Sequence, residues 1–310
     1  MSPTVHLTAE DTPIVSVKPV TIADPDRGTD ISLRISAPVR GTDLPVILFS
    51  HGFGESMSGY APLTDYWASQ GFVVLQPTYL DSRSIGLAED DPRRPGIWKQ
   101  RAKDAVSVLD HLNEVLASID GLPERVDTTK IAAAGHSFGG QTTGILLGLR
   151  VIDPETGEVE DLSDPRVKAG VLMATAGRGA DLSPMAVENF PFMNPTFEHM
   201  STPALVALGD QDDSPLSTRG PEWSADPCTD SPGEKHLLTL TGGEHSLGGI
   251  PGYDAAETTD ENPERVILLR SVAVAFLRHA LDLDEQPWSE VTETLGGTGT
   301  DQGRLESKLR

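Results

Sequence analysis

The sequence predicts an α/β protein: a mostly parallel sheet of about eight strands with helices on both faces. Two observations lead there. Apolar runs of strand length alternate with helix-length amphipathic stretches along most of the 310 residues. Several of those runs end in glycine-rich turns, at His51-Gly52-Phe53-Gly54, Gly135 to Gly139 and Gly242-Gly243. No Pro/Ser/Gly-rich linker divides the middle of the chain, so residues 1–296 are expected to form one domain.

Ile14 to Ile22 and Ile31 to Ser36 flank the turn-rich segment Ala23 to Gly28 and read as an antiparallel pair on one sheet edge. Leu44 to Ser50 is a continuous apolar run of the kind central parallel strands need when both faces are covered. A helix over about Tyr60 to Gln70 leads to a buried strand Phe72 to Leu75. A polar excursion, Asp81 to Gly96, precedes a helix from Trp98 to about Leu116, in which Trp98 is expected to pack. Three more strands are read at Val167 to Ala174, Ala204 to Gly209 and His236 to Leu240, and a final helix at about Pro263 to Leu281. Residues 177–201 and 214–234 are longer insertions at the carboxyl ends of strands, where open α/β sheets bind ligands, and are expected to act as a cap. Beyond Gly296 the chain has little to bury, and residues 297–310 are expected to be a disordered tail.

Residues 135 to 139 read Gly-His-Ser-Phe-Gly, between the run Lys130 to Ala134 and the small-residue stretch Gly140 to Leu147. This is the pattern of a nucleophile elbow, in which a strained strand-to-helix turn exposes the serine and its neighbours two residues away must lack bulk. Ser137 is the candidate nucleophile. A serine hydroxyl needs a base, and the base needs a carboxylate to hold its tautomer. His245 lies on a glycine-flanked loop after the last strand, whereas His6, His111, His199, His236 and His279 sit in or beside helices, strands or the terminus. The strand Ala204 to Leu208 ends in Gly209-Asp210-Gln211-Asp212-Asp213; spacing favours Asp212 as the acid, with Asp210 and Asp213 as alternatives. The glycine loop after the first central strand is where oxyanion donors belong, which points to the amides of Phe53 and Phe138. His51, Gly52, Trp223 and Phe192 are candidates for lining a substrate pocket. Met185, Phe190, Met193 and Phe197 are further apolar candidates, with a small core internal to the cap as the alternative reading.

A net charge of −23 disfavours nucleic acid and anionic membrane surfaces as partners. No apolar run approaches the roughly 18 residues of a membrane span. The lone Cys228 rules out an internal disulfide and cannot by itself anchor a metal. Met1 to Asp11 lacks a basic segment followed by an apolar one, so a cytoplasmic protein is expected.

Phe49 to Gly54, Tyr60-Ala61-Pro62-Leu63 and Gly135 to Thr142 resemble the α/β-hydrolase fold. They are most similar to its branch of platelet-activating-factor acetylhydrolases, chlorophyllases and dienelactone-hydrolase-like esterases. The resemblance runs over about Leu44 to Leu281. It implies hydrolysis of carboxylic esters of small-molecule or lipid-like type, without metal or organic cofactor, with Ser137 as nucleophile, His245 as base and Phe53 and Phe138 as oxyanion donors. Two departures narrow it. Dienelactone hydrolases carry cysteine at the elbow where this chain has Ser137. The acetylhydrolases place their acid after the strand where this chain reads Leu172 to Gly177, without a carboxylate, so the acid is expected from the next strand. Amides, lactones, polyesters or acyl transfer remain open for the same triad. A non-catalytic ligand-binding protein of this fold would be expected to lack a triad member.

Overall fold

The computed structural model describes residues 11–252 and 258–308. The N-terminal reading, on Met1 to Asp11, therefore lies outside the described residues except for Asp11. The chain opens with β1 (Ile14–Ile22), β2 (Ile31–Pro38) and β3 (Leu44–Ser50), followed by α1 (Ala61–Ser69), β4 (Val73–Pro77), α2 (Ile97–Asp110) and α3 (Leu112–Leu116). The middle comprises β5 (Val126–His136), α4 (Phe138–Leu146), β6 (Arg150–Val151), β7 (Val167–Met173), α5 (Pro184–Asn189), β8 (Pro195–Thr196) and β9 (Ala204–Gly209). It closes with α6 (Asp226–Asp230), β10 (Lys235–Leu240), α7 (Pro263–Ala280), α8 (Gln286–Leu295) and β11 (Gly303–Lys308).

Nine strands form one sheet in the order β1-β2-β4-β3-β5-β7-β9-β10-β11. Neighbours from β4 to β10 run parallel, and the antiparallel pairings are confined to β1–β2, β2–β4 and β10–β11. This is the α/β-hydrolase fold. The central strands are buried on both faces, so successive residues go to opposite cores. Val46 and Leu48 of β3 pack with α2 and α4 through Trp98, Ala105 and Ile145. Ile47 and Phe49 pack on the other face with Trp67 of α1 and with Leu269 and Phe276 of α7.

Two expectations are corrected here. The helix expected from Trp98 to Leu116 is interrupted at His111, which leaves helical geometry at φ −99°, ψ 18° and turns its Nδ1 onto the Ser107 carbonyl. The tail expected to be disordered from 297 carries β11, paired along its length with β10 from Lys235↔Lys308 to Leu240↔Gly303. Leu305 is buried against α7 and α8, and the Lys308 ammonium donates to the Thr229 and Ser231 carbonyls. An open edge on β10 supplies the hydrogen bonds that a short polar segment cannot supply for itself.

The two insertions fold against each other. Leu182 bridges Ser217, the Ser183 hydroxyl donates to the Pro215 carbonyl, and the Arg219 guanidinium spans Asp181 and Asp226.

Candidate active site

β5 delivers His136 to the carboxyl edge of the sheet, and α4 starts at Phe138. Ser137, between them, is forced to φ 55°, ψ −121°, a region that non-glycine residues avoid. The turn closes because the flanking positions have no side chain. A Cβ on Gly135 would lie 2.1 Å from the Gly139 carbonyl oxygen, and one on Gly139 would lie 2.0 Å from the Ser50 carbonyl oxygen. The strained residue is anchored by its own amide to the Met173 carbonyl at 2.8 Å.

Ser137 Oγ lies 3.0 Å from His245 Nε2, and His245 Nδ1 lies 2.9 Å from Asp212 Oδ2. The Asp212 side chain is 3% exposed and the His245 ring 43% exposed, so the carboxylate is shielded while the imidazole faces the solvent side. The other two carboxylates of this loop do different things: Asp210 accepts from the Gly242 amide, and Asp213 is exposed.

Phe53 follows β3 on the loop facing the elbow. Of the amides from 52 to 55, three are engaged within the protein: Gly52 N–H on Tyr60 Oη, Gly54 N–H on Asp81, and Glu55 N–H on the Gly52 carbonyl. The Phe53 amide is the remaining one among the described hydrogen bonds. The Phe138 amide is at the first turn of α4, where N–H groups have no partner within the helix.

The elbow histidine ties these loops together. Tyr60 Oη accepts from Gly52 N–H at 3.0 Å, so its own proton points to His136 Nδ1 at 2.9 Å. That fixes the proton of His136 on Nε2, which donates to the His245 carbonyl at 2.8 Å. Burial, with the neighbouring His245 adding to it, pushes the His136 pKa down to about 3, so the ring is neutral and the direction of this chain is set. Tyr60 and His136 both stand in stretches that the motifs mark, yet their roles are visible only once residues 76 apart meet.

The pocket candidates separate. His51 is 1% exposed, donates from Nδ1 to the Gly52 carbonyl and accepts the Tyr79 amide on Nε2; it lies beneath the loop, and its expected place in the pocket is corrected. Gly52 is likewise buried, with its amide and carbonyl both engaged. Trp223 is buried within the fused insertions, its indole N–H on the Arg178 carbonyl, and Phe192, Met193 and Phe197 are buried in the same core. They join the core on one face of the sheet, which also takes in Phe138 and Ile145 of α4, and do not form a core internal to the cap. Phe192 stands behind Phe138, ring centroids 5.1 Å apart. The aromatic surface that remains open beside the elbow is Phe53, 41% exposed, against half-buried Phe190 at 5.7 Å. On the acid side a cleft of about 650 Å³ is lined by Asp213, Leu216, Glu244 and His245.

Among the described residues no group of three or more His, Cys, Asp or Glu is placed to hold a metal ion, and no helix is long and apolar enough to cross a membrane.

The sequence model of the family described as Chlorophyllase matches residues 10–156. Platelet-activating factor acetylhydrolase from Bos taurus is 29% identical over 139 aligned residues, covering 33% of this chain and 31% of the relative. The protein of the same name from Gallus gallus is 25% identical over 146, covering 33% and 35%. The chain thus spans about a third of the length of the curated relatives it matches. The matched region contains the Phe53 loop and the elbow, and its topology and motifs make this an α/β-hydrolase-fold chain similar to that serine-esterase branch.

Proposed function

We propose that the protein is a serine hydrolase that cleaves carboxylic esters through a covalent acyl-enzyme. The observation that carries this reading is the hydrogen-bond chain from Ser137 Oγ to His245 to Asp212, at 3.0 and 2.9 Å. Asp212 accepts the Nδ1 proton of His245, which leaves the Nε2 lone pair directed at the serine hydroxyl. Ser137 Oγ attacks the ester carbonyl carbon as its proton passes to Nε2. The carbonyl oxygen takes up negative charge, which the amides of Phe53 and Phe138 stabilise. Collapse of the tetrahedral adduct breaks the bond to the alcohol oxygen, which leaves with the proton from Nε2. A water then gives its proton to Nε2, attacks the acyl carbon and releases the acid, and Ser137 regains its proton.

The match to the family model described as Chlorophyllase and the similarity to proteins named platelet-activating factor acetylhydrolase support ester substrates in particular. The open faces of Phe53 and Phe190 support an apolar group beside the oxyanion donors. Asp213 and Glu244 at the mouth of the cleft disfavour an anionic group on the other side.

The test is hydrolysis of p-nitrophenyl acetate, butyrate and octanoate by the wild type and by Ser137→Ala, with mass spectrometry after a fluorophosphonate probe. A single label on Ser137, with turnover lost in the variant, is the expected result. A wild type that neither takes the label nor exceeds the variant in turnover would overturn the reading and favour a ligand-binding role.

A further inference from the structure

We propose that Arg101, with Asp81 as its counter-ion, is the positioning residue of the oxyanion hole; this rests on the serine-hydrolase reading above. Both side chains are fully buried, and Arg101 sits on α2, 50 residues in sequence from His51 of the Phe53 loop and 41 from Thr142 behind the elbow. Its guanidinium donates from Nε to Asp81 Oδ1 at 2.8 Å and from Nη2 to Asp81 Oδ2 at 3.0 Å, a two-pronged pair. The remaining donors reach the Phe53 loop: Nη1 to the His51 carbonyl at 2.9 Å and Nη2 to the Gly52 carbonyl at 3.3 Å. Asp81 Oδ2 in turn accepts the Gly54 amide at 3.2 Å. The peptide groups on both sides of Phe53 are therefore held by one ion pair, while the Phe53 amide is left for a ligand.

The same cation reaches the second donor. The guanidinium carbon lies 4.3 Å from the centre of the Phe138 ring and 4.5 Å from that of Tyr79. Thr142 Oγ1 accepts from Nη1 at 3.4 Å and donates to the Phe138 carbonyl at 3.2 Å. Nη2 also approaches His51 Nδ1 to 3.1 Å, but Nδ1 already carries the proton it gives to the Gly52 carbonyl at 2.7 Å; the two donors converge on that carbonyl. A lysine has the charge but not the fork needed to reach a carboxylate and two carbonyls in one plane.

A buried ion pair is often no more stabilising than an apolar replacement, so stability is a poor reason for this one. The chain holds a control. Arg27–Asp104 is an equally buried pair at 3.0 Å whose guanidinium binds the Thr29, Asp30 and Thr78 carbonyls instead of the Phe53 loop.

The test compares Arg101→Lys, Arg101→Gln, Asp81→Asn and Arg27→Gln on matched oxygen and thiono esters, since sulfur in place of the carbonyl oxygen accepts hydrogen bonds poorly. Removing one oxyanion donor costs about 10²- to 10³-fold in kcat elsewhere. Displacement of the donors in the Arg101 variants should lower kcat on the oxygen ester by about 10- to 100-fold on the same scale, with little change in KM. The preference for oxygen over thiono ester should shrink in step. Arg27→Gln should lose thermal stability while keeping the wild-type preference. Should the Arg101 variants not fold, Asp81→Asn, which keeps an acceptor for Gly54, reads the same ratio. An unchanged ratio, or equal losses on both esters, would overturn the proposal while leaving the hydrolase reading intact; a wild type without turnover or label would end both.

Discussion

Acidification strikes at the two histidines beneath the loops, and the size of the effect follows from their surroundings. Burial pushes the His136 pKa down to about 3, and burial with the Arg101 cation pushes His51 down to about 4. In the unfolded chain each titrates near 6.5. Because the folded values are depressed, their contribution to stability is complete above about pH 6.5 and is lost as the pH falls toward the folded values. At about pH 4.5 the loss is on the order of 2 to 3 kcal/mol for each, or about 5 kcal/mol together. Asp104 works in the opposite direction. Burial, outweighing Arg27 at 3.0 Å, pushes its carboxyl up to about 6, so its cost to the fold grows as the pH rises from its unfolded value through 6. Acidification to about pH 4.5 relieves about 2 kcal/mol of that cost, so these three groups together leave a loss of about 3 kcal/mol, a large part of an ordinary domain's stability. Urea unfolding at several pH values between 4.5 and 7.5 measures it. In His136→Gln, whose amide can still accept from Tyr60 and donate to the His245 carbonyl, the slope of stability against pH should fall by one proton, about 1.4 kcal/mol per pH unit. An unchanged slope in that variant would refute the assignment of a neutral, buried His136.

Three substitutions and one truncation test separate parts of the structure. Asp212→Asn should lower kcat/KM on p-nitrophenyl esters by about 10⁴-fold through the wrong imidazole tautomer, whereas Asp213→Asn, at an exposed position, should stay near wild type in the same assay. Gly139→Ala places a Cβ 2.0 Å from the Ser50 carbonyl oxygen and should destabilise by about 4 kcal/mol or more, or prevent accumulation of folded protein, as read by expression and urea melts. Truncation after Thr300 removes β11; loss of the buried Leu305 alone removes about 1.5 to 3 kcal/mol, and the bare β10 edge should raise the aggregation rate followed by light scattering.

The parts of the fold legible in the sequence are those whose local chemistry matches their place. β3, β4, β9, the second half of β5 from Ile131 and most of β7 are buried on both faces because helices cover both, and the elbow is legible because its geometry tolerates only glycine at 135 and 139. His245 and Asp212 stand out because each follows a strand in chain order. β11 is different: Gly303 and Leu305 face inward while Arg304 and Glu306 to Lys308 are exposed, a pattern too short and polar to signal a strand without β10 beside it. The buried face of α8, with Trp288, Val291 and Leu295, keeps the helical period but follows a segment that gives no sign of returning to the sheet. The cap's aromatic residues carry no mark of whether they face each other, the body of the fold or a ligand; Phe192 is buried against Phe138, and Trp223 beside the Arg178 carbonyl.

Arg101 did leave a signal, and it lies in helix periodicity instead of a motif. The buried face of α2 runs Ile97, Trp98, Arg101, Ala102, Asp104, Ala105, Val108 and Leu109, so two charged residues stand within an otherwise apolar stripe. A charge at such a position must find a partner or be neutralised, because an unpaired ion in that environment costs several kcal/mol. Each of the two found one on a different element, Asp81 after β4 and Arg27 before β2. The stripe alone therefore says that α2 carries two buried charges in need of partners. The proposed role of Arg101 follows from the acceptors left over once each ion pair is made: for Arg27 the carbonyls of Thr29, Asp30 and Thr78, and for Arg101 those of the loop that presents Phe53.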